Sequence, residues 1–274
     1  MIAACPRIVY NGGMTQDEER ELLAVAQEAA RAAAAELKER YGRRHSGVRA
    51  KSGPTDLVSD ADLAAEQAIR AVLGERRPGD SILGEEGGAT GDGELRWVVD
   101  PLDGTINYLY EIPAFAVSVA CEDASGSIAG VVLDPMRDEC FAATRSGPAT
   151  LNGSPLEVEG RPDSLGFAMI ATGFGYDPAI RTRQAAVVAR VLPQVRDIRR
   201  VGAAALDLAW NAVGRVDAFY ERGLNTWDVA AGALIASRTG LAVREFPAGD
   251  EPWGVLTAPP AIVDELYRLI AGER

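Results

Sequence analysis

The residues best placed to do chemistry stand in one short run, Asp100-Pro101-Leu102-Asp103-Gly104-Thr105-Ile106-Asn107. It follows the apolar stretch Trp97-Val98-Val99, so the first carboxylate stands where a buried strand ends and a proline interrupts it. A second carboxylate follows three positions on, and Gly104 and Thr105 suit a tight turn or a helix start. Two hard oxygen ligands at a strand end, beside exposed backbone N–H groups, can gather Mg²⁺ and a phosphate at one point. Further acids stand at other element boundaries: Glu85 after Ser81-Ile82-Leu83-Gly84, and Asp228 directly after Trp227. Two such ions roughly 3.5–4 Å apart activate an attacking water and stabilise the leaving oxygen. That chemistry needs a bridging carboxylate and others around it, and the chain has them.

Taken singly, each acid has a plainer reading. Asp228 is a favourable first-turn acid. Glu85 and Glu86 read as surface charge, Asp62 on the first turn after Ser59 as a cap, and Asp103-Gly104 as an ordinary turn. The joint arrangement is what points to a metal site.

The elements that must position these residues follow from periodicity and caps. Thr15-Gln16-Asp17-Glu18 fits a capping box. Leu22, Ala26, Ala29, Ala33 and Leu37 continue at helical spacing toward a stop at Gly42. A loop over 43–52 leads to Ser59, which caps a second helix ending near Gly74. Residues 81–83 form a short strand, and 87–94 are Gly-rich and read as mobile. Strands are expected over 115–122, 128–135 and 140–144 as an antiparallel meander, with a turn at 151–153. Beyond it, strands at 168–171, 216–220, 241–246 and 255–257 alternate with helices at 179–192, 204–213, 227–238 and 261–271. The expectation is a tail over 1–13, an N-terminal α+β lobe over 14–150 with the metal site, and a C-terminal α/β lobe over 151–274 with the substrate-side residues. The two lobes share one active site.

Composition limits the function classes. A chain of 274 residues can bury a large core as one large domain or two lobes. Forty acidic residues against 28 basic ones give a net charge of −12. That disfavours direct nucleic-acid binding and anionic lipid surfaces, and an anionic substrate would need a cation to offset the local carboxylates. The three cysteines, Cys5, Cys121 and Cys140, form no Cys-x-x-Cys pair. Their odd number argues against a disulfide framework and for a reducing, cytoplasmic setting. His45 is the only histidine, so His-rich zinc sites are excluded, as is histidine acid–base chemistry beyond His45 itself. No apolar run approaches the ~20 residues of a membrane span. Residues 1–13 lack signal-peptide character, and Met14, directly before a strong helix start, is the expected natural start.

Four motifs together resemble the inositol monophosphatase family, within the lithium-sensitive, magnesium-dependent phosphatase superfamily. They are Asp56-Leu57-Val58-Ser59-Asp60-Ala61-Asp62, Gly84-Glu85-Glu86, the run from Asp100 to Asn107, and Trp227-Asp228-Val229-Ala230-Ala231-Gly232. The likeness extends over nearly the whole chain, from about Glu21 to Ile270. It implies a layered αβαβα sandwich of the sugar-phosphatase type, mixing α+β and α/β character, and a homodimer. It also implies about two to three Mg²⁺ ions per site. In the family's pattern, Glu85, Asp100 and the Leu102 carbonyl hold the first metal, and Asp100 bridges to a second held by Asp103 and Asp228. A weaker third site leans on Glu85 and waters. Thr105 and Asp62 orient and deprotonate the attacking water, and the backbone N–H groups of Gly104 and Thr105 bind phosphate. Asp103, the backbone around Gly202, Ala203 and Ala204, and Glu221 meet the substrate's hydroxyls. Lys51, Asp56 and Glu86 are supporting residues.

The implied reaction is in-line hydrolysis of a small phosphate monoester, inositol-1-phosphate first, with lithium inhibiting by replacing the second Mg²⁺. No phosphoenzyme is expected, because no Ser, Cys or His is poised beside an activating base. Departures from the family pattern bear on substrate identity. Ala203 stands where Ser or Thr is frequent, Asn225-Thr226 occupies a variable pair, and Pro148-Ala149-Thr150 replaces the usual Gly-Ala-Phe. Histidinol phosphate is the serious rival substrate, with fructose-1,6-bisphosphate behind it and nucleotide 3′-phosphates least favoured. From a different class, some bacterial relatives are accessory factors in transcription complexes. The acidic charge does not support RNA binding but is compatible with docking on a basic protein partner.

Overall fold

A long helix, α1 (Gln16–Arg40), opens the described part of the chain in the computed structural model, which describes residues 14–43, 48–50 and 57–273. Its capping box forms as the sequence indicates: the Thr15 hydroxyl accepts from the Glu18 N–H at 3.3 Å, and the Thr15 N–H donates to the Glu18 carboxylate at 2.7 Å. The small side chains of Ala26, Ala29, Ala30 and Ala33 are fully buried, which lets a second helix approach closely. The short antiparallel pair β1 (Arg49–Ala50) and β2 (Leu57–Val58) leads into that helix, α2 (Asp60–Arg76), capped by Ser59. It runs two residues past the expected stop at Gly74.

The first sheet contains β3 (Ser81–Gly84), β4 (Gly88–Thr90), β5 (Arg96–Asp103), β6 (Ala116–Asp123), β7 (Gly126–Asp134), β8 (Glu139–Thr144), β9 (Thr150–Leu151) and β10 (Ser154–Pro155). The order is β10-β9-β8-β7-β6-β5-β3-β4. Only β3 and β5 run parallel; the rest is the expected meander. A one-turn helix, α3 (Thr105–Leu109), follows β5. The second sheet contains β11 (Met169–Thr172), β12 (Asp197–Arg199), β13 (Ala218–Arg222), β14 (Ala242–Phe246) and β15 (Gly254–Ala258), in the order β12-β11-β13-β15-β14. The remaining helices are α4 (Pro178–Val191), α5 (Ala204–Ala212), α6 (Thr226–Ser237) and α7 (Val263–Ala271).

Four apolar clusters stack these elements into five layers. Leu22, Leu37 and Ile69 of α1 and α2 pack on one face of the first sheet, against Trp97 and Val119. Val98, Ala120 and Phe141 on its other face meet Leu206 of α5 and Ile235 of α6. Leu208 and Val229 of the same two helices pack against Ala171 and Phe219 of the second sheet, whose far face holds Ile170 and Leu256 against Leu266 and Ile270 of α7. The result is the αβαβα sandwich. Because helices cover both faces of the first sheet, β5 reads as a continuous apolar run rather than an alternating one.

The structure departs from the sequence reading in four places. Residues 87–94 are not simply a mobile loop: Gly88–Thr90 pairs with β3, with Ile82 opposite Thr90. The strand expected over 216–220 begins at Ala218, because the Asn211 side chain ties the Val216 carbonyl to the end of α5 at 3.1 Å. The edge strands β9 and β10 carry the first sheet to Pro155, past the expected boundary at 150. The parallel edge strand β12 has too few residues to show a period. Among the described residues no helix is long and apolar enough to cross a membrane. The 1–13 tail, His45, Lys51 and Asp56 lie outside the described residues.

Candidate active site

The end of β5 is where a strand is bent into a site. Asp100 pairs with Ser118, but Asp103 pairs with Ala116, so one extra residue is accommodated as a β-bulge. Pro101 lacks a ladder N–H and fits that irregularity. The Asp100 carboxylate accepts the Leu102 N–H at 2.9 Å, which closes the bulge on itself. Gly104 follows with φ +90, a left-handed conformation that favours glycine. A Cβ there would also lie 3.0 Å from the Ala203 Cβ and 3.1 Å from the Ala114 carbonyl. The chain then turns into α3 at Thr105.

Asp62 does two things at once. One carboxylate oxygen accepts the Ser59 N–H at 2.8 Å and the Ser59 hydroxyl at 2.6 Å, completing the capping box of α2. The other lies 3.0 Å from the Thr105 hydroxyl, which is also 3.1 Å from the Leu102 carbonyl. A hydroxyl carries one proton, so Thr105 donates to one of these two at a time. Capping and the contact with Thr105 are therefore not alternatives here. The cap fixes the carboxylate that faces Thr105.

Asp228 and Asp103 show the same economy. Asn225 caps α6, and its N–H donates to the Asp228 carboxylate at 2.6 Å. Helix α5 has Ala203 at its N-cap, which offers no side-chain cap. Asp103, from a distant segment, accepts the Leu206 N–H at 3.0 Å instead, an acid at a helix N-terminus. Glu85 extends the β3–β5 pairing through its N–H to the Val99 carbonyl at 3.2 Å.

Glu85, Asp100, Asp103, Thr105 and Asp228 line one cavity of about 460 Å³, whereas Asp62 is fully buried and is not part of its lining. The lining also includes Leu102, Gly104, Gly202, Ala204 and Glu221. Glu221 stands on β13 close against Gly173, where any Cβ would strike its carboxylate. Burial, then the charges of Glu85, Asp103 and Asp228, hold the Asp100 carboxyl well above the usual carboxylate range. Burial and Asp228 do the same to Asp103, and the backbone N–H of Leu206 opposes the rise. Burial, then Asp228, raises Glu221 to about 8, with Arg200 acting in the other direction. Carboxylates crowded in this way resist ionising together, and a cation placed among them relieves that cost.

The donor set fits a hard divalent ion: carboxylate oxygens and one backbone carbonyl, with no sulfur or imidazole. Among the described residues no three acids already stand close enough to hold an ion. Backbone N–H groups of Leu102, Leu206 and Asn225 donate to the carboxylates of Asp100, Asp103 and Asp228. The two described cysteines offer no nucleophile: Cys121 is buried and its thiol is pushed up to about 12 by that burial, and burial also raises Cys140.

Ala203 is the one expected substrate contact that does not reach the cavity wall. It is buried behind Gly104 in the apolar layer between the first sheet and α5, and only its neighbours Gly202 and Ala204 face the cavity. Glu86 likewise lies off the wall, and its backbone N–H is taken by Glu66 at 2.8 Å. Sequence reasoning missed Arg200, Phe174 and Tyr176, which also line the cavity. The Arg200 guanidinium sits 6.0 Å from the centre of the Phe174 ring. It also missed Asp207, whose two side-chain oxygens are buried without a hydrogen-bond partner and whose carboxyl is raised by burial and then by Glu221. The aromatic Phe174-Gly175-Tyr176 run before a helix, and an acid inside the apolar pattern of α5, were the available signals.

A family model described as the inositol monophosphatase family matches residues 18–265. Inositol-1-monophosphatase SuhB of Mycobacterium tuberculosis is 45% identical over 243 residues, 83% of this chain and 82% of that protein. Nus factor SuhB of Pseudomonas aeruginosa is 45% identical over 203 residues, 72% of this chain and 74% of its own length. Among solved structures, the extragenic suppressor protein suhB of Bartonella henselae superimposes with a TM-score of 0.83 at 36% identity, covering 90% of this chain and 97% of that one.

Proposed function

This chain belongs to the inositol monophosphatase family, and on that premise we propose that it is a phosphoric monoester hydrolase acting on inositol-1-phosphate with Mg²⁺. The observation that carries the reading is the meeting of the Thr105–Asp62 hydrogen bond with Glu85, Asp100, Asp103 and Asp228 around one cavity. Glu85, Asp100, the Leu102 carbonyl, Asp103 and Asp228 would hold Mg²⁺. When bound, the ions neutralise phosphoryl charge and lower the pKa of water.

The chain's own groups supply the rest. Thr105 orients the attacking water and Asp62 takes its proton through that hydroxyl. The backbone N–H groups of Gly104 and Thr105 hold phosphate oxygens. Glu221, and the backbone at Gly202 and Ala204, receive the hydroxyls of the leaving alcohol. Arg200 balances the acidic lining. We further read the protein as a cytoplasmic homodimer sensitive to lithium.

The test is phosphate release from a panel of inositol-1-phosphate, histidinol phosphate and fructose-1,6-bisphosphate, each with Mg²⁺ and with added Li⁺. The reading expects the highest kcat/KM on inositol-1-phosphate and inhibition by Li⁺. A preference for histidinol phosphate, or full turnover in excess Li⁺, would count against it.

A second role has one specific observation behind it: relatives named Nus factor SuhB share up to 45% identity with this chain. Docking on a transcription complex would use the surface rather than the cavity. Co-purification with RNA polymerase that survives Asp100→Asn would support it alongside the enzymatic role.

A further inference from the structure

One face of α2 carries Asp62, Glu66 and Arg70, each four residues after the last, so they lie one above another along the helix. Asp62 faces Thr105. The other two are occupied elsewhere. Glu66 is 3% exposed, and both its oxygens are engaged: one accepts the Glu86 N–H at 2.8 Å, the other the Gly87 N–H at 2.9 Å and the Arg70 Nε at 2.6 Å. Arg70 reaches the same turn from the other side. Its two terminal nitrogens donate to the Gly88 carbonyl at 2.8 Å and to the Thr90 hydroxyl at 3.0 Å. A charged pair on a helix thus grips the backbone at 86, 87 and 88, immediately after Glu85, while the Glu85 N–H is tied to Val99 on the other side.

The glycines around Glu85 belong to the same device. A Cβ on Gly84 or on Gly87 would lie 2.5 Å from a Glu66 oxygen and 2.8 Å from an Arg70 nitrogen. Neither position admits a side chain while the grip is closed. A buried ion pair with every oxygen satisfied is weak support for stability in itself, because apolar residues of similar volume often serve as well. Its value here lies in geometry: it fixes the one turn that brings Glu85 to the cavity from outside β5.

We propose that Glu66 and Arg70 are positioning residues that preset Glu85 for the divalent cation, so that α2 organises both the water-orienting pair and the first ligand. The proposal rests on the reading that Glu85 holds Mg²⁺. Partners that orient a ligand without touching the metal typically change metal affinity about 10–100-fold when removed.

The test is a calorimetric titration of the full-length protein with Mg²⁺, repeated with Mn²⁺, beside thermal melts in EDTA. Glu66→Gln presents an amide NH₂ to a backbone N–H, and should weaken metal binding about tenfold or more with little change in KM at saturating metal. Should that variant fail to fold, Glu66→Leu combined with Arg70→Met replaces both charges with apolar groups. It should melt in EDTA close to wild type yet bind metal at least about tenfold more weakly. Arg76→Met, also on α2, is the control, since it removes only an exposed pair with Glu28 of α1 and should leave affinity unchanged. Wild-type metal affinity in the folded double variant would overturn the proposal. Absence of metal binding by the wild type would overturn the Mg²⁺ reading, and the proposal with it.

Discussion

Replacing Glu221 with Gln should stabilise the metal-free protein by an amount that grows with pH. Burial, then the charge of Asp228, raises this carboxyl from its usual 4.5 to about 8. Below pH 4.5 it is neutral in both the folded and the unfolded chain and makes no difference. Between 4.5 and 8 the unfolded chain gives up the proton and the folded chain keeps it, so the wild type loses stability as pH rises, and the loss levels off above about 8. Gln is neutral throughout and fills the same space against Gly173. At about 1.4 kcal/mol per pH unit, the variant's advantage is about 3 kcal/mol at pH 7 and about 5 kcal/mol above pH 8. For a chain of this size, 3 kcal/mol corresponds to roughly 6–12 °C in Tm. Urea titrations in EDTA at pH 4.5, 7 and 9 measure it. The same substitution should raise KM for inositol-1-phosphate, because one of the two side-chain oxygens facing its hydroxyls becomes an NH₂. An advantage that stays constant across pH, or a variant less stable than wild type at pH 9, would refute the electrostatic account of this residue.

The remaining predictions concern the cation and the water. Asp100→Asn and Asp228→Asn should each reduce Mg²⁺-dependent phosphate release more than about 100-fold while leaving the far-ultraviolet circular dichroism unchanged; near-normal activity in either would remove that residue from the metal set. Thr105→Val keeps the volume and loses the hydroxyl beside Asp62, so kcat should fall about 100-fold or more with KM nearly unchanged. EDTA should lower Tm and excess Mg²⁺ restore it, by about 2.7 kcal/mol at a hundred times Kd; a melt indifferent to Mg²⁺ would contradict binding to the folded state.

The parts of this molecule that were legible in its sequence are those whose physics is local. The run from Asp100 to Thr105 carries its proline break, its turn and its acids within a few residues, and the capping box at Thr15 and the cap at Ser59 are equally local. The αβαβα layering was implied by resemblance, and the two-sided burial of β5 accounts for its unbroken apolar run. What stayed hidden depends on contacts between distant segments. The Glu66 grip crosses 20 residues and the Asp103 cap on α5 crosses 103, and neither leaves a periodic trace. The resemblance implies that the backbone around Gly202, Ala203 and Ala204 meets the substrate, whereas the Ala203 side chain packs against Gly104 in the interior. The Gly-rich stretch after Glu85 reads as a loop by composition, whereas Arg70 binds its backbone and β3 pairs with it. Arg200 gave no signal, because its role comes only from the cavity it closes.

The most direct test of the central claim is an anomalous difference map from a crystal of this protein soaked in Mn²⁺. Peaks are expected among the carboxylates of Glu85, Asp100, Asp103 and Asp228 and the Leu102 carbonyl, with Asp100 between neighbouring ions. A fully soaked crystal with no peak in that cavity, or with its only peaks elsewhere, would contradict it.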